Sequence, residues 1–93
     1  KRDVWSSADG ITWECATAEA PWSARAYHQV VAHAGKLWVI AGGNYVPEYE
    51  ARHDVWSSTD GVHWDRVTAA APFAPRLWFS AVSWKHHLWV IGG

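Results

Sequence analysis

The sequence predicts an all-β protein built from four-stranded antiparallel meanders, and three observations predict it. First, the chain repeats itself. Displaced by 51 residues without a gap, Asp3-Val4-Trp5-Ser6-Ser7 falls on Asp54-Val55-Trp56-Ser57-Ser58, Trp13 on Trp64, Arg25 on Arg76 and Leu37–Ile40 on Leu88–Ile91. A period in this range marks one supersecondary unit used more than once, each copy burying its apolar face against the next. Second, Asp9-Gly10 and Asp60-Gly61 separate apolar-bearing runs, a strong hairpin signal because Gly takes positive φ without a Cβ clash. Third, no stretch carries convincing helical periodicity.

Each copy contains four extended segments. Asp54 to Ser58 reads as a strand, Thr59-Asp60-Gly61-Val62 as a turn and His63 to Val67 as the returning strand. Trp5-Ser6-Ser7 through Trp13-Glu14-Cys15 is the same hairpin in the first copy. An Ala- and Pro-rich loop follows, Ala16 to Ala24 or Thr68 to Pro75, and ends at Arg25 or Arg76. The next strand is Tyr27 to His33, matched by Trp78 to Trp84. After a turn containing Gly35 or His86 comes Lys36 to Ile40, matched by His87 to Ile91, which is expected to stop at a double glycine, Gly42-Gly43 or Gly92-Gly93. Its uninterrupted Leu-Trp-Val-Ile character predicts that both of its faces are covered. His86 is read as a turn residue, since His tolerates left-handed geometry better than most. Ala41, ahead of the first double glycine, reads as a one-residue insertion. Asn44 to His53 is the only segment without a second copy to compare.

Composition narrows the function classes. Eight Lys and Arg against nine Asp and Glu leave a net charge of −1, and no basic cluster offers an electrostatic footprint for nucleic acid. The longest apolar run, Leu37 to Ala41, is far too short for a bilayer core of ~30 Å. The chain opens on Lys1 without a signal-peptide pattern, which reads as a processed or excised piece. Nine tryptophans recur mostly at repeat positions and read as core. The single Cys15 matches Arg66 in the other copy and reads as an inert, buried or half-buried thiol. His28, His33, His53 and His63 fall on non-His counterparts, and the adjacent His86 and His87 point to opposite faces of a strand. No metal or other cofactor is expected.

The four-strand unit resembles the kelch repeat, whose blades build a β-propeller, in a bacterial kelch-like form. The resemblance rests on the strand ending in Gly42-Gly43 and Gly92-Gly93, the aromatic Trp56 on the next strand, Trp64 on the outer strand and the Arg25 and Arg76 framework positions. It covers essentially the whole chain, and the repeat spacing of roughly 50 residues agrees with the kelch period. Ser7 to Trp13 and Ser58 to Trp64 also resemble the Asp-box of sialidase-like propellers, one residue short between Asp and Gly. In either family that motif implies a structural turn in which Asp9 or Asp60 bonds its own backbone, not a catalytic acid.

In kelch order the chain runs strands 3–4 over residues 1–24 with their following loop, a full blade 1–2–3–4 with its loop over 25–75, and strands 1–2 over 76–93. The resemblance implies that Trp5, Trp13, Trp38, Trp56, Trp64 and Trp89 are mostly buried between blades. It also implies that the loops joining strands 2–3 and 4–1 share one rim. That rim would gather Trp22, Tyr45, Glu48, Tyr49, Glu50, Arg52, His53 and Phe73 as candidate partner-binding residues. Ser6, Ser7, Ser57 and Ser58 recur on a strand with no His fixed nearby, and neither double glycine opens a helix as a phosphate cradle does. No catalytic residue is assigned. The expected function is a non-catalytic scaffold that binds a protein or glycan. It would be a propeller segment completed either by the remaining blades of a parent or by other copies of itself. The alternative is a fragment of a carbohydrate-active propeller enzyme, galactose-oxidase-like or sialic-acid-mutarotase-like. Galactose-oxidase chemistry would need copper held by a Tyr, Cys and His set, and no Tyr-bearing motif of that site can be matched.

Overall fold

Every strand pairs antiparallel with its neighbour in sequence, and wide loops divide the pairings into three sheets. The computed structural model describes residues 1–93 and contains no helix. Strands β1 (Val4–Ser6) and β2 (Glu14–Thr17) form the first sheet. The second comprises β3 (Gln29–His33), β4 (Lys36–Asn44), β5 (Glu50–Ser58) and β6 (Asp65–Thr68), hydrogen-bonded in that order as a meander. The third is β7 (Ser80–Trp84) with β8 (His87–Ile91). The chain is thus all-β with antiparallel sheets.

The repeat is visible down to individual hydrogen bonds. In the β5–β6 turn, Asp60 Oδ1 accepts the N–H groups of Val62 and His63, both at 2.8 Å, while Ser58 Oγ accepts that of Gly61 at 2.7 Å. Asp9 and Ser7 make the same bonds to Ile11, Thr12 and Gly10 in the β1–β2 turn. The indoles of Trp13 and Trp64 donate to the carbonyls of Gly10 and Gly61. Short polar side chains that bond their own backbone fix these turns locally, before any tertiary contact forms. The β3–β4 and β7–β8 turns are closed by left-handed residues, Ala34 and Gly35 in one and Lys85 and His86 in the other.

Two expectations about β4 are corrected. The strand does not stop at the double glycine but runs through it to Asn44. Nor is Ala41 an insertion. It takes φ 51° at the bulge in β4 and accepts the Arg25 guanidinium, while Gly92, with φ 75°, accepts Arg76 in the same way. Ala41 is therefore the counterpart of Gly92, and Gly42 of Gly93. Glycine is required at the next two positions because β4 is squeezed there. A Cβ on Gly42 would lie 2.7 Å from the His28 backbone, and one on Gly43 would collide with the Glu50 carbonyl oxygen.

The two faces of β4 bury into different clusters. Val39, 3% exposed, packs with Ala20 and Trp22, and Val4, Trp56 and Trp64 close around them on the side of the first sheet. Ile40, 1% exposed, packs with Val31, Ala41 and Phe79, joined by Ala81, Leu88 and Val90 from the third sheet. Alternation along one strand thus fills the space on both sides of the four-stranded sheet.

The matching residues of the outer sheets lack this cover. Trp38, Trp56 and Trp64 are half-buried, whereas Trp5, Trp13 and Trp89 are exposed, against the expectation of mostly buried indoles. Ile91, the repeat partner of Ile40, is 58% exposed. Cys15 is exposed as well, since β2 forms an outer edge of its sheet. Trp5, Trp13, Trp89 and Ile91 stand at positions whose repeat equivalents are covered, and the layer that covers those equivalents is absent at the outer sheets.

Trp22 is the one tryptophan in the buried core, with T-shaped contacts to Trp64 at 4.7 Å and to Trp56 at 6.0 Å. Trp22→Ala is expected to cost about 3–5 kcal/mol, the range for emptying a large aromatic site in a core. Trp13→Ala, at an open position, should cost far less. Guanidinium denaturation of the two variants checks the order, and a Trp13 change as damaging as the Trp22 change would contradict this packing.

Candidate functional site

The end of the sheets where β4 hands over to β5 also receives the chain entering β3 and β7. Residues 45–49 form the β4–β5 loop, and Ala24–His28 and Pro75–Phe79 lead into the other two strands. An aromatic chain crosses this end. Tyr49 meets Tyr45 edge-on at 6.3 Å, Tyr45 meets Trp78 at 5.3 Å, and Trp78 meets Tyr27 at 4.9 Å. All four rings face solvent, with exposures of 62%, 55%, 59% and 43% in that order. Tyr and Trp offer large, stiff apolar faces with a polar edge, the residue types that dominate protein recognition sites.

Tyr27 and Trp78 are held at an energetic cost. Both sit in the left-handed region, φ 56° and 52°, where a bulky side chain is an outlier costing roughly 1–2 kcal/mol. Bonds on the approach to Tyr27 hold its backbone there. Ala26 exchanges both of its backbone hydrogen bonds with Gly43, at 2.7 and 2.9 Å, and the Asn44 side chain donates to the Ala24 carbonyl at 3.3 Å. Strained backbone clusters at binding and active sites, and here it carries an aromatic side chain at equivalent positions of both copies.

Beneath the aromatics lies the strongest polar feature of the chain. Arg25 and Asp54 pair in bidentate fashion at 2.6 and 2.9 Å, with the Arg25 side chain 1% and the Asp54 side chain 15% exposed. Arg25 also donates to the carbonyls of Ala41 and Ser23, and the Trp56 indole donates to Asp54. Burial pushes the Asp54 carboxyl up. The hydrogen bonds from Arg25 and Trp56 and the Arg25 charge outweigh it, so its pKa falls below the ordinary 3.8. Neighbouring His28 is lowered from 6.5, first by burial and then by Arg25, and its Nδ1 is buried without a partner. At the opposite end of the sheet, exposed His63 is raised by its 2.8 Å bond to Asp60.

The eight residues expected on one rim separate into groups. Tyr45, Glu48 and Tyr49 share the exposed loop. Glu50 pairs with Arg52 at 3.1 Å, and His53 Nδ1 lies 3.1 Å from the Phe73 carbonyl oxygen, with Arg76 over the Phe73 ring at 5.2 Å. Trp22 stands apart from all of them, 6% exposed inside the packing between the first and second sheets. Sequence reasoning missed Tyr27 and Trp78, which it placed inside strands; the strands begin at Gln29 and Ser80. An aromatic two residues after each framework Arg, in both copies, was the available signal. No three His, Cys, Asp and Glu side chains come together as a metal-holding cluster, and no helix is long and apolar enough to cross a membrane. No protein-family model, curated protein or solved structure matches the chain.

Two outcomes test the ion pair. Asp54→Ala leaves a buried guanidinium unpaired and should cost about 3 kcal/mol, the lower end of the usual range because Asp54 keeps one exposed side. Because the folded Asp54 pKa lies below 3.8, its contribution is complete above that pH and is lost as the pH falls through the folded value. The contribution of His28 is likewise present above 6.5 and lost as the pH falls through its lowered folded value. Acid titration of stability should therefore be less steep below pH 3.8 in Asp54→Asn than in the unmodified chain, and equal slopes would contradict the assignment.

Proposed function

We propose that this chain is a non-catalytic segment of a kelch-type β-propeller whose exposed aromatic end binds a protein partner. The observation that carries the reading is the run Tyr49, Tyr45, Trp78 and Tyr27, four solvent-facing rings in mutual contact. Two of them are held in a left-handed backbone conformation that is costly for a bulky side chain. The propeller reading is supported by the four-stranded meander over β3–β6, by the flanking sheets that pack on its two faces, and by the recurrence of the kelch-like residues at a 51-residue spacing. Each two-stranded sheet then corresponds to half a blade.

A protein surface fits the aromatics better than a small molecule does. The rings line no enclosed cavity, and the one depression at this loop is an open groove formed by Ala24, Asn44, Val46, Pro47, Glu48 and Glu50. A flat aromatic cluster with carboxylates at its border has the make-up of an interface centre and its polar rim.

Panning a displayed peptide library against the purified chain tests this, with Tyr45→Ala/Trp78→Ala as the control and a glycan array in parallel. The expected result is a family of peptides whose binding falls at least tenfold in the double variant while its β-sheet spectrum is unchanged. Glycan binding lost in the same variant, without peptide selection, would reassign the site to carbohydrate. Ligands indifferent to the double variant would remove the site from this end of the sheets.

A further inference from the structure

The charge beside the aromatic cluster is of one sign. The β4–β5 loop and the first residue of β5 contribute two exposed carboxylates, Glu48 and Glu50, and no cation. Arg52 meets Glu50 at 3.1 Å, whereas Glu48 pairs with no cation of the chain. Both carboxylates border the open groove formed with Ala24, Asn44, Val46 and Pro47. The other guanidinium groups at this end are already engaged. Arg25 is buried against Asp54, and Arg76 donates to the Ala74 and Gly92 carbonyls and lies over the Phe73 ring at 5.2 Å. The site is built by loops internal to the chain: residues 45–49 join the paired strands β4 and β5, and Trp78 lies between β6 and β7.

The ring faces are unclaimed as well. The chain lays cations of its own over other aromatic rings: Arg66 over Trp56 at 5.9 Å, Arg76 over Phe73 at 5.2 Å and Lys85 over Trp84 at 4.6 Å. None lies over Tyr45, Tyr49, Trp78 or Tyr27. Tyr45 meets Tyr49 at an interplanar angle of 85° and Trp78 at 50°, and Trp78 meets Tyr27 at 59°. Rings inclined in this way are not stacked into a column that would hide their faces. A cation over such a face is attracted by the ring quadrupole, most strongly by that of Trp. A carboxylate beside the ring adds an attraction of the same sign.

We infer that the partner bound at this end is a basic peptide segment, with an Arg or Lys side chain laid over the Tyr45–Trp78 pair and Glu48 as its counter-charge. This rests on the reading of this end as a protein-binding surface and adds the chemistry of the partner. A long cationic side chain also carries an aliphatic stem that covers apolar surface while its charge stays at the edge. Val46, 73% exposed in the same groove, offers that surface. An acidic segment would meet Glu48 and Glu50 with only Arg52 to receive it, and Arg52 is already on Glu50. A neutral segment would use the rings and gain nothing from Glu48. Charge complementarity therefore selects the basic partner.

Fluorescence-anisotropy titration of the 93-residue chain with labelled hexa-arginine, hexa-glutamine and hexa-glutamate peptides tests this. Hexa-arginine is expected to bind about tenfold more tightly than hexa-glutamine, and hexa-glutamate not to bind. Tyr45→Ala/Trp78→Ala and Glu48→Lys should each weaken hexa-arginine by about tenfold with the β-sheet spectrum unchanged. Glu14→Lys makes the same charge change at an exposed position of β2 and should leave the affinity nearly unaltered. Equal losses in Glu14→Lys and Glu48→Lys would reduce the binding to general charge attraction and overturn the inference. Absence of hexa-arginine binding at millimolar concentration would overturn it too. Hexa-glutamine bound as tightly as hexa-arginine, and lost in Tyr45→Ala/Trp78→Ala, would overturn the basic partner while upholding the protein-binding surface. Hexa-arginine binding indifferent to Tyr45→Ala/Trp78→Ala would count against both.

Discussion

The bidentate bond between Arg25 and Asp54 is the constraint on which the order of this molecule depends. One guanidinium ties together the entry to β3, the bulge in β4 and the middle of β5. With its side chain almost fully buried, Arg25 has no water to fall back on, so every donor must be met by the chain. That requirement explains Ala41. A carbonyl has to turn out of the β4 ladder toward Arg25, and a left-handed residue at the bulge turns it.

The aromatic end inherits its geometry from the same constraint. With Arg25 fixed, Ala26 pairs with Gly43, and Gln29 pairs with Ile40 in the same antiparallel register, so Tyr27 and His28 lie between these pairs, opposite the bulged Ala41-Gly42 of β4. Tyr27 takes a left-handed conformation there and its ring faces solvent against Trp78, which takes the same conformation one repeat later. A smaller residue would adopt this backbone more easily. The presence of the two largest hydroxylated or indole rings at strained positions is what separates this surface from ordinary framework. Asn44 and the 45–49 loop then bring Tyr45 and Tyr49 to the same place, so one exposed cluster is assembled from three segments distant in sequence.

Much of this was legible in the sequence wherever a structure is local. The hairpin turns were readable because Ser7, Asp9 and Gly10, and their repeats, close them with side-chain bonds over two or three residues. The four extended segments per copy were readable from apolar runs and turn residues, but boundaries differ: β3 begins after the strained Tyr27, β4 runs through Gly42-Gly43, β5 begins at Glu50 instead of Asp54, and β6 begins at Asp65 instead of His63. The candidate site was less legible. Tyr45 and Tyr49 were noticed because their loop has no second copy, whereas Tyr27 and Trp78 were hidden inside what read as strands. Trp22 was misplaced onto the surface, since an indole in an Ala- and Pro-rich loop carries no local mark of burial.

The sequence by itself determined the strand order, the turn chemistry and the repeat, because each depends on residues near one another in the chain. It also set which residue types stand at equivalent positions. Tertiary structure decided what those equivalent positions do. Ile40 is buried and Ile91 exposed, Asp54 is paired and Asp3 is not, and Trp64 is covered where Trp13 is open. The residues are the same; the difference is whether a neighbouring layer lies against them, and burial is a property of the neighbour as much as of the residue.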